Sequence, residues 1–260
     1  MINSDDSVVI FGDELGIPLV MEALGEAKLA CVVIDPKRKN LKNWHKGNEQ
    51  KYRILMHPRK EERDGFAHEL TKFNLRLGIV ASYSRILWPE LLTLFPLGVV
   101  NLHGGRLPEY RGANVLQWAI INGETETAVT LHYVDQGIDT GPVIAESRIP
   151  IHDEDTALTL RDRMSNEGRD LLRKWLPRLQ KGEVEKTRQD ESKACVWRRR
   201  KPEDGLINWA WSDERVRNLI RALVKPWPGA FYFDGMGEKV VVDRPISIEE
   251  VKRIRRELFR

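Results

Sequence analysis

The first hundred residues alternate short, uninterrupted apolar runs with stretches of helical spacing, and this alternation constrains the fold more than any other feature. Val8-Val9-Ile10-Phe11 ends at Gly12, and Leu29-Ala30-Cys31-Val32-Val33-Ile34 is the next run. A weaker one covers 53–56, Leu77-Gly78-Ile79-Val80-Ala81 is a fourth, and Leu97-Gly98-Val99-Val100-Asn101-Leu102-His103 closes the series. A strand apolar at every position must be covered on both faces, as in a parallel sheet. Helical patterns over 17–27 and 61–73 separate the runs, so the expected fold class is α/β, a Rossmann-like, mostly parallel sheet.

The second part of the chain reads differently. Helical spacing over 113–122 precedes strand patterns over 128–133 and 144–151. A long helix is expected over 156–181, with Thr156 as N-cap and Gly182 as stop. The charged, irregular stretch 182–192 is the expected domain boundary. This divides the chain into a catalytic domain, 1–185, and a small C-terminal subdomain, 186–260. The subdomain holds a helix over 213–224, the rigid turn Lys225-Pro226-Trp227-Pro228-Gly229, a hairpin over 230–242 and an amphipathic helix over 248–260.

Composition excludes several function classes. Among 260 residues the formal net charge is +3, too small to argue for nucleic acid or a membrane surface. The basic clusters Arg198-Arg199-Arg200-Lys201 and 252–260 read as solvated faces. Cys31 and Cys195 are the two cysteines, and no Cys–His grouping has the spacing of a metal site, so no metal is expected. The acidic start is no signal peptide, and no apolar stretch approaches the roughly 20 residues that cross a bilayer. A cytoplasmic protein is expected. The turn Gly12-Asp13-Glu14-Leu15-Gly16 lacks the G-x-G-x-x-G spacing, and its two carboxylates would repel a pyrophosphate.

Chemistry concentrates in 100–143. Asn101 and His103 stand two apart at the end of a strand pattern, so their side chains share one side. Ligands of open α/β sheets collect beyond the carboxyl ends of strands. A loop with three glycines and two arginines follows, then His132 and Asp139-Thr140-Gly141-Pro142. A carboxamide, an imidazole and a carboxylate, with no Ser or Cys nucleophile, suit acyl transfer to an external amine. Asn101 could donate to the oxyanion, His103 could relay the amine's proton, and Asp139 could orient the imidazole.

Asn101-x-His103, Leu107-Pro108-x-Tyr110-Arg111-Gly112, Trp118-Ala119-Ile120, Asn122-Gly123-Glu124 and His132-x-Val134-x₄-Asp139-x-Gly141 resemble the core signature of folate-dependent formyltransferases. Later segments extend the resemblance to the C-terminal subdomain of the sugar and tRNA members: the run from Arg198 through Lys201-Pro202-Glu203-Asp204-Gly205 to Trp209, and Pro226-Trp227-Pro228-Gly229-Ala230. The resemblance implies 10-formyltetrahydrofolate as formyl donor and a catalytic set of Asn101, His103 and Asp139. It implies folate contacts from Ser82, Tyr83, Arg85, Ile86, Leu87, Asp135, Gly137 and Asp139, and substrate contacts from Arg106, Tyr110 and Arg111. Arg85 has a second reading as a structural residue of the folate loop, and Trp118 could either line the site or pack in the core. Two departures stand out: Gly105 where the family often has Ser, and Asn114-Val115 where it often has Pro.

The wording is closest to enzymes acting on UDP-4-amino-4-deoxy-L-arabinose and GDP-perosamine, whose products serve lipopolysaccharide-type surface sugars. The acceptor expected is therefore the amine of a nucleotide-linked amino sugar. Methionyl-tRNA formyltransferase is the alternative, disfavoured by the absence of a broad basic surface and by the short chain after Gly229. A non-catalytic folate- or nucleotide-binding module and a formyltetrahydrofolate hydrolase are further rivals. The resemblance also implies a homodimer formed through the C-terminal part.

Overall fold

In the computed structural model, residues 7–25, 28–38, 45 and 47–259 are described. The apolar runs become strands: β1 (Ser7–Gly12), β2 (Lys28–Ile34), β3 (Ile54–Met56), β4 (Leu75–Ala81) and β5 (Val99–His103). With β7 (Glu126–Tyr133) and β8 (Val143–Pro150) they form one seven-stranded sheet in the order β3-β2-β1-β4-β5-β7-β8. Pairing is parallel from β3 through β5, and β7 runs antiparallel to β5. Val8, Val9, Ile10 and Phe11 are all buried, which is why β1 shows no polar alternation. Cys31 lies in the same core, where burial pushes its thiol up to about 12.

Strand order reverses between β1 and β4, so β2 extends the sheet to one side and β5 to the other. Loops beyond the carboxyl ends of β1, β4 and β5 therefore carry the positions where such sheets bind ligands. The loop after β1 is already filled. Asp13 Oδ1 accepts from the backbone N–H groups of Leu15 and Gly16, both at 3.0 Å, at the start of helix α1 (Gly16–Leu24). These are the donors that would otherwise hold an anion.

Two compact units interleave along the chain. The first comprises Met1–His103, Val129–Ser147 and Ser165–Lys193; the second comprises Gly104–Ala128, Arg148–Met164 and Ala194–Arg260. The helical pattern expected over 61–73 is realised as a short 3₁₀ turn, Lys60–Glu62, followed by α2 (Arg63–Leu70). A short helix, α3 (Pro89–Leu92), goes unsignalled because four residues carry no periodicity. Helix α4 spans Val115–Ile121. The long helix is α5 (Ala157–Lys181): Thr156 Oγ1 accepts from Thr159 N at 3.3 Å, and Gly182 ends it with a φ of 72°. Both termini match the capping residues expected from the sequence.

In the second unit, β6 (Arg111–Gly112) pairs in parallel with β9 (Val196–Trp197). A Cβ on Gly112 would stand 2.2 Å from the Trp197 carbonyl oxygen, so the Arg-Gly step of the motif is fixed by close backbone approach. Helix α6 (Asp213–Ala222), the hairpin β10 (Ala230–Phe233) and β11 (Lys239–Val242), and helix α7 (Ile248–Leu258) complete it. Arg255 of α7 donates to the Trp211 carbonyl at 2.6 Å and pairs with Asp213 at 2.9 Å, so the terminal helix packs on its own chain. In the cluster 198–201, Arg198, Arg199 and Lys201 are exposed, as expected of a solvated face, and Arg200 is half-buried. Arg198 grips the Asp204 carboxylate at 2.7 and 2.5 Å, and that pairing holds Asp204 down at about 2.

Candidate active site

Strand β5 turns Asn101 and His103 to one face, as the two-residue spacing requires. Antiparallel register sets Asn101 directly opposite His132 on β7, and directly opposed side chains meet on the same face. The chain then leaves β7 and returns through Asp139. The Asn101 amide nitrogen lies 3.2 Å from Asp139 Oδ1 and 3.1 Å from His132 Nε2. His103 Nδ1 stands 3.5 Å from Asp139 Oδ2, and His132 Nε2 stands 3.6 Å from Oδ1. The three side chains read as catalytic from the sequence therefore converge on one another.

The chemistry of the partners fixes the proton positions. His132 Nδ1 is 2.8 Å from the Tyr133 carbonyl oxygen, which can only accept, so Nδ1 carries the hydrogen of the neutral ring. Nε2 then offers a lone pair to the Asn101 amide. Asp139 Oδ1 takes the second amide hydrogen. Both Asn101 hydrogens are thus engaged in this state, and donation to an oxyanion would proceed by exchanging one of them. His132 is the member of this group that sequence reasoning quoted but assigned no role. Its place depends on β5–β7 register, which residue spacing alone does not carry.

Asp139 occupies the left-handed region at φ 52°. Such a conformation costs a non-glycine residue about 1–3 kcal/mol and persists only where its surroundings impose it. Several do. Asp135 Oδ1 accepts from Gly137 N at 3.0 Å and from Thr140 Oγ1 at 2.5 Å, closing the loop on its inner side. A Cβ at Gly141 would lie 1.8 Å from the Tyr133 carbonyl oxygen, so the chain can pass there only as glycine. Gln189 Nε2 donates to the carbonyls of Asp139, at 2.8 Å, and Gly141, at 2.7 Å. Of the expected folate residues, Asp135 and Gly137 accordingly shape the loop that presents Asp139.

The loop after β4 supplies the others. Ser82 adopts φ 53°. The Tyr83 hydroxyl lies 2.8 Å from His57 Nδ1, and burial raises its pKa. Burial also lowers His57 to about 4, so the pair meets as neutral groups near pH 7. Arg85 Nη2 donates to Asp35 at 2.8 Å, and Ser84 Oγ donates to the same carboxylate at 2.7 Å. Burial alone would raise Asp35; these donors outweigh it and hold the group down at about 2. Arg85 is therefore committed to the structural role that the sequence left open for it. Leu87 is a core side chain, whereas Ile86 is 72% exposed. Ser82 and Ile86 are the exposed residues of this loop.

The expected substrate residues lie in the second unit. Tyr110 stacks on Trp197, with ring centroids 5.4 Å apart and an interplanar angle of 11°, and its hydroxyl donates to Glu124 at 2.8 Å. Trp118 also packs on Trp197, with ring centroids 5.2 Å apart, and its Nε1 donates to the Arg198 carbonyl. Arg111 is buried in β6, while Arg106 keeps about a quarter of its side chain exposed near Glu109 and Glu124. Tyr110 and Arg111 are thus buried within their unit, and Arg106 is the more accessible cation.

Comparison with known proteins places this geometry. A sugar N-formyltransferase from Shewanella superposes with a TM-score of 0.77 at 18% identity, over 94% of this chain and 99% of its own. An N-formyltransferase from Helicobacter canadensis, solved with folinic acid and dTDP-3-aminofucose, gives a TM-score of 0.63 at 22% identity, over 84% of this chain and 80% of its own. A methionyl-tRNA formyltransferase from Clostridium thermocellum gives 0.59 at 20% identity, over 93% of this chain and 99% of its own. At these identities the likeness is one of fold. Residues 199–250 match the formyl transferase C-terminal domain. Residues 20–176, which include Asn101, His103, His132 and Asp139, match the formyl transferase domain itself, and the chain belongs to that family.

Proposed function

We propose that the protein transfers a formyl group from 10-formyltetrahydrofolate to the amine of a nucleotide-linked amino sugar. One observation carries this reading: a carboxamide, two imidazoles and a carboxylate meet at 3.1–3.6 Å at the carboxyl end of β5. The sugar N-formyltransferases among the solved relatives support the acceptor class. In the reaction the amine nitrogen attacks the formyl carbon, the C–N bond to the amine forms, and the bond from that carbon to N10 of the folate breaks. The amine loses one proton and N10 gains one. Asp139 and His103 form the relay for that proton, while His132 holds the Asn101 amide edge-on to the reacting carbonyl.

The donor's pterin is assigned to the backbone of 82–87 and to the loop that Asp135 and Gly137 close. Arg106 is assigned to the acceptor's diphosphate, with Tyr110 and Arg111 shaping the surface around it. A homodimer and a cytoplasmic site of action accompany this reading. No helix among the described residues is long and apolar enough to cross a membrane.

The test is mass spectrometry of products formed from 10-formyltetrahydrofolate and a panel of UDP-, GDP- and dTDP-linked amino sugars, with methionyl-tRNA as a separate arm. Gain of one formyl group on a nucleotide sugar is expected. Formylation of the tRNA alone would replace the acceptor, and release of formate without any acceptor would replace the transferase by a hydrolase.

A further inference from the structure

The stretch 182–192 reads in sequence as a charged connector, yet it is bonded along the loop that carries Asp139. Val143 and Thr187 exchange two backbone hydrogen bonds, at 2.8 and 2.9 Å. Two residues further on, the Gln189 amide nitrogen faces the carbonyls of Asp139 and Gly141. Both are obligate acceptors, so the orientation of this carboxamide is dictated by its partners. Each of its two hydrogens has one carbonyl to serve.

We infer that Gln189 is a positioning residue for the transfer reaction: its carboxamide pins the Asp139–Thr140 and Gly141–Pro142 peptide units and so sets the direction of the Asp139 carboxylate. The inference rests on the reading of Asp139 as a catalytic group. Its physical basis is the backbone on which Asp139 stands. With φ at 52°, that residue lies outside the broad extended and helical regions, and a small rotation would swing the carboxylate away from Asn101 and His103. Asp135 restrains the loop through Gly137 and Thr140. Gln189 bonds the Asp139 carbonyl itself. The backbone bridge at Thr187 keeps the strap in place without this side chain, so removing the amide releases the carboxylate and leaves the fold.

Four variants test this: Gln189→Leu, Gln189→Glu, Asp139→Asn, and the Gln189→Leu/Asp139→Asn double. Gln189→Leu keeps the approximate volume and deletes both donors. It is expected to lower kcat at least tenfold, with KM for 10-formyltetrahydrofolate within about twofold of wild type and Tm within about 4 °C. Gln189→Glu replaces the donors by an acceptor facing two carbonyls and should be slower still. Its rate relative to wild type at the same pH should rise as the pH falls and the carboxyl regains a donor proton; a merely structural role would not produce that recovery. In the double variant the two losses should fail to multiply, because the amide acts through the carboxylate.

A crystal structure of Gln189→Leu supplies a readout independent of the acceptor: the Asp139 carboxylate is expected to move beyond about 4 Å from Asn101 and His103. A carboxylate still in its wild-type place would overturn the inference. So would an inactive Asp139→Asn beside a Gln189→Leu that turns over at the wild-type rate, and that result would leave the catalytic reading intact. A folded Asp139→Asn with near-normal turnover would overturn the catalytic reading, and the inference with it.

Discussion

Asp13 and Asp139 are both carboxylates of the first unit, and both stand on loops that leave the end of a sheet strand, yet their surroundings give them opposite uses. Asp13 is 4% exposed, and one of its oxygens is held by two backbone N–H groups. Arg38 approaches the other at 3.4 Å. Asp139 faces Asn101 and His103, and its side chain keeps 15% of its surface open. Backbone amides at a helix start can neither exchange a proton nor move aside, so Asp13 is consumed by the fold. Imidazole and carboxamide partners can do both, so Asp139 is available for chemistry. A carboxylate's partners, more than its place in the topology, decide between the two outcomes.

The comparison predicts activity loss without stability loss on one side. Asp139→Asn and His103→Ala are expected to reduce kcat by about 10²–10⁴, the range for a positioned acid–base group, with an unchanged urea midpoint. Steady-state rates on the accepted nucleotide sugar, beside equilibrium unfolding, decide this. A stable Asp139→Asn with near-wild-type kcat would place Asp139 in the same class as Asp13. Asn101→Ala should cost somewhat less, about 10–10³, because the role proposed for Asn101 is to arrange charge and not to carry the proton.

Asp35 sharpens the contrast as a third case, a carboxylate spent on a side-chain cation. Its pKa is held at about 2 against an ordinary 3.8, so it favours the folded state above pH 4, and the benefit fades as the pH falls through 2. Arg85→Ala should therefore lose about 1–2 kcal/mol at pH 7, allowing for the partial exposure of the arginine, and little near pH 2. Urea unfolding at the two pH values reads this directly. An equal loss at both would mean that Arg85 contributes by packing.

Much of this was legible in the residues because the relevant physics is local. Uninterrupted apolar runs such as Val8-Val9-Ile10-Phe11 announce strands buried on two faces, and the structure covers both faces of β1. The one-sidedness of Asn101 and His103 follows from strand geometry alone. His132 needed the β5–β7 register, a pairing between segments thirty residues apart. Gln189 sits in a stretch without apolar periodicity, so nothing local shows that its amide reaches two carbonyls about fifty residues earlier in the chain. Tyr110 and Arg111 show the same limit: Tyr110 stacks on Trp197 and Arg111 pairs with Val196, contacts with a segment far along the chain that no local pattern announces.

The smallest expected effect probes Asp13 itself. Asp13→Asn keeps an acceptor for the Leu15 and Gly16 amides and removes the buried charge. Asn and Asp cap helix starts about equally well, so stability at pH 7 should change by no more than about 0.5 kcal/mol, against about 1 kcal/mol lost in Asp13→Ala. Turnover per folded molecule should be unchanged in both. The sign with pH is the sharper test. Burial raises the pKa of Asp13 in the folded state, and the two amide bonds and Arg38 only partly offset it. A group that binds its proton more tightly when folded gains stability as the pH falls through its folded pKa. Wild type should therefore gain on Asp13→Asn between neutral and mildly acidic pH, as measured by urea midpoints. If wild type instead loses ground on acidification, the Arg38 pairing outweighs burial, and Asp13 belongs with Asp35 as a carboxylate that stabilises the fold through its charge.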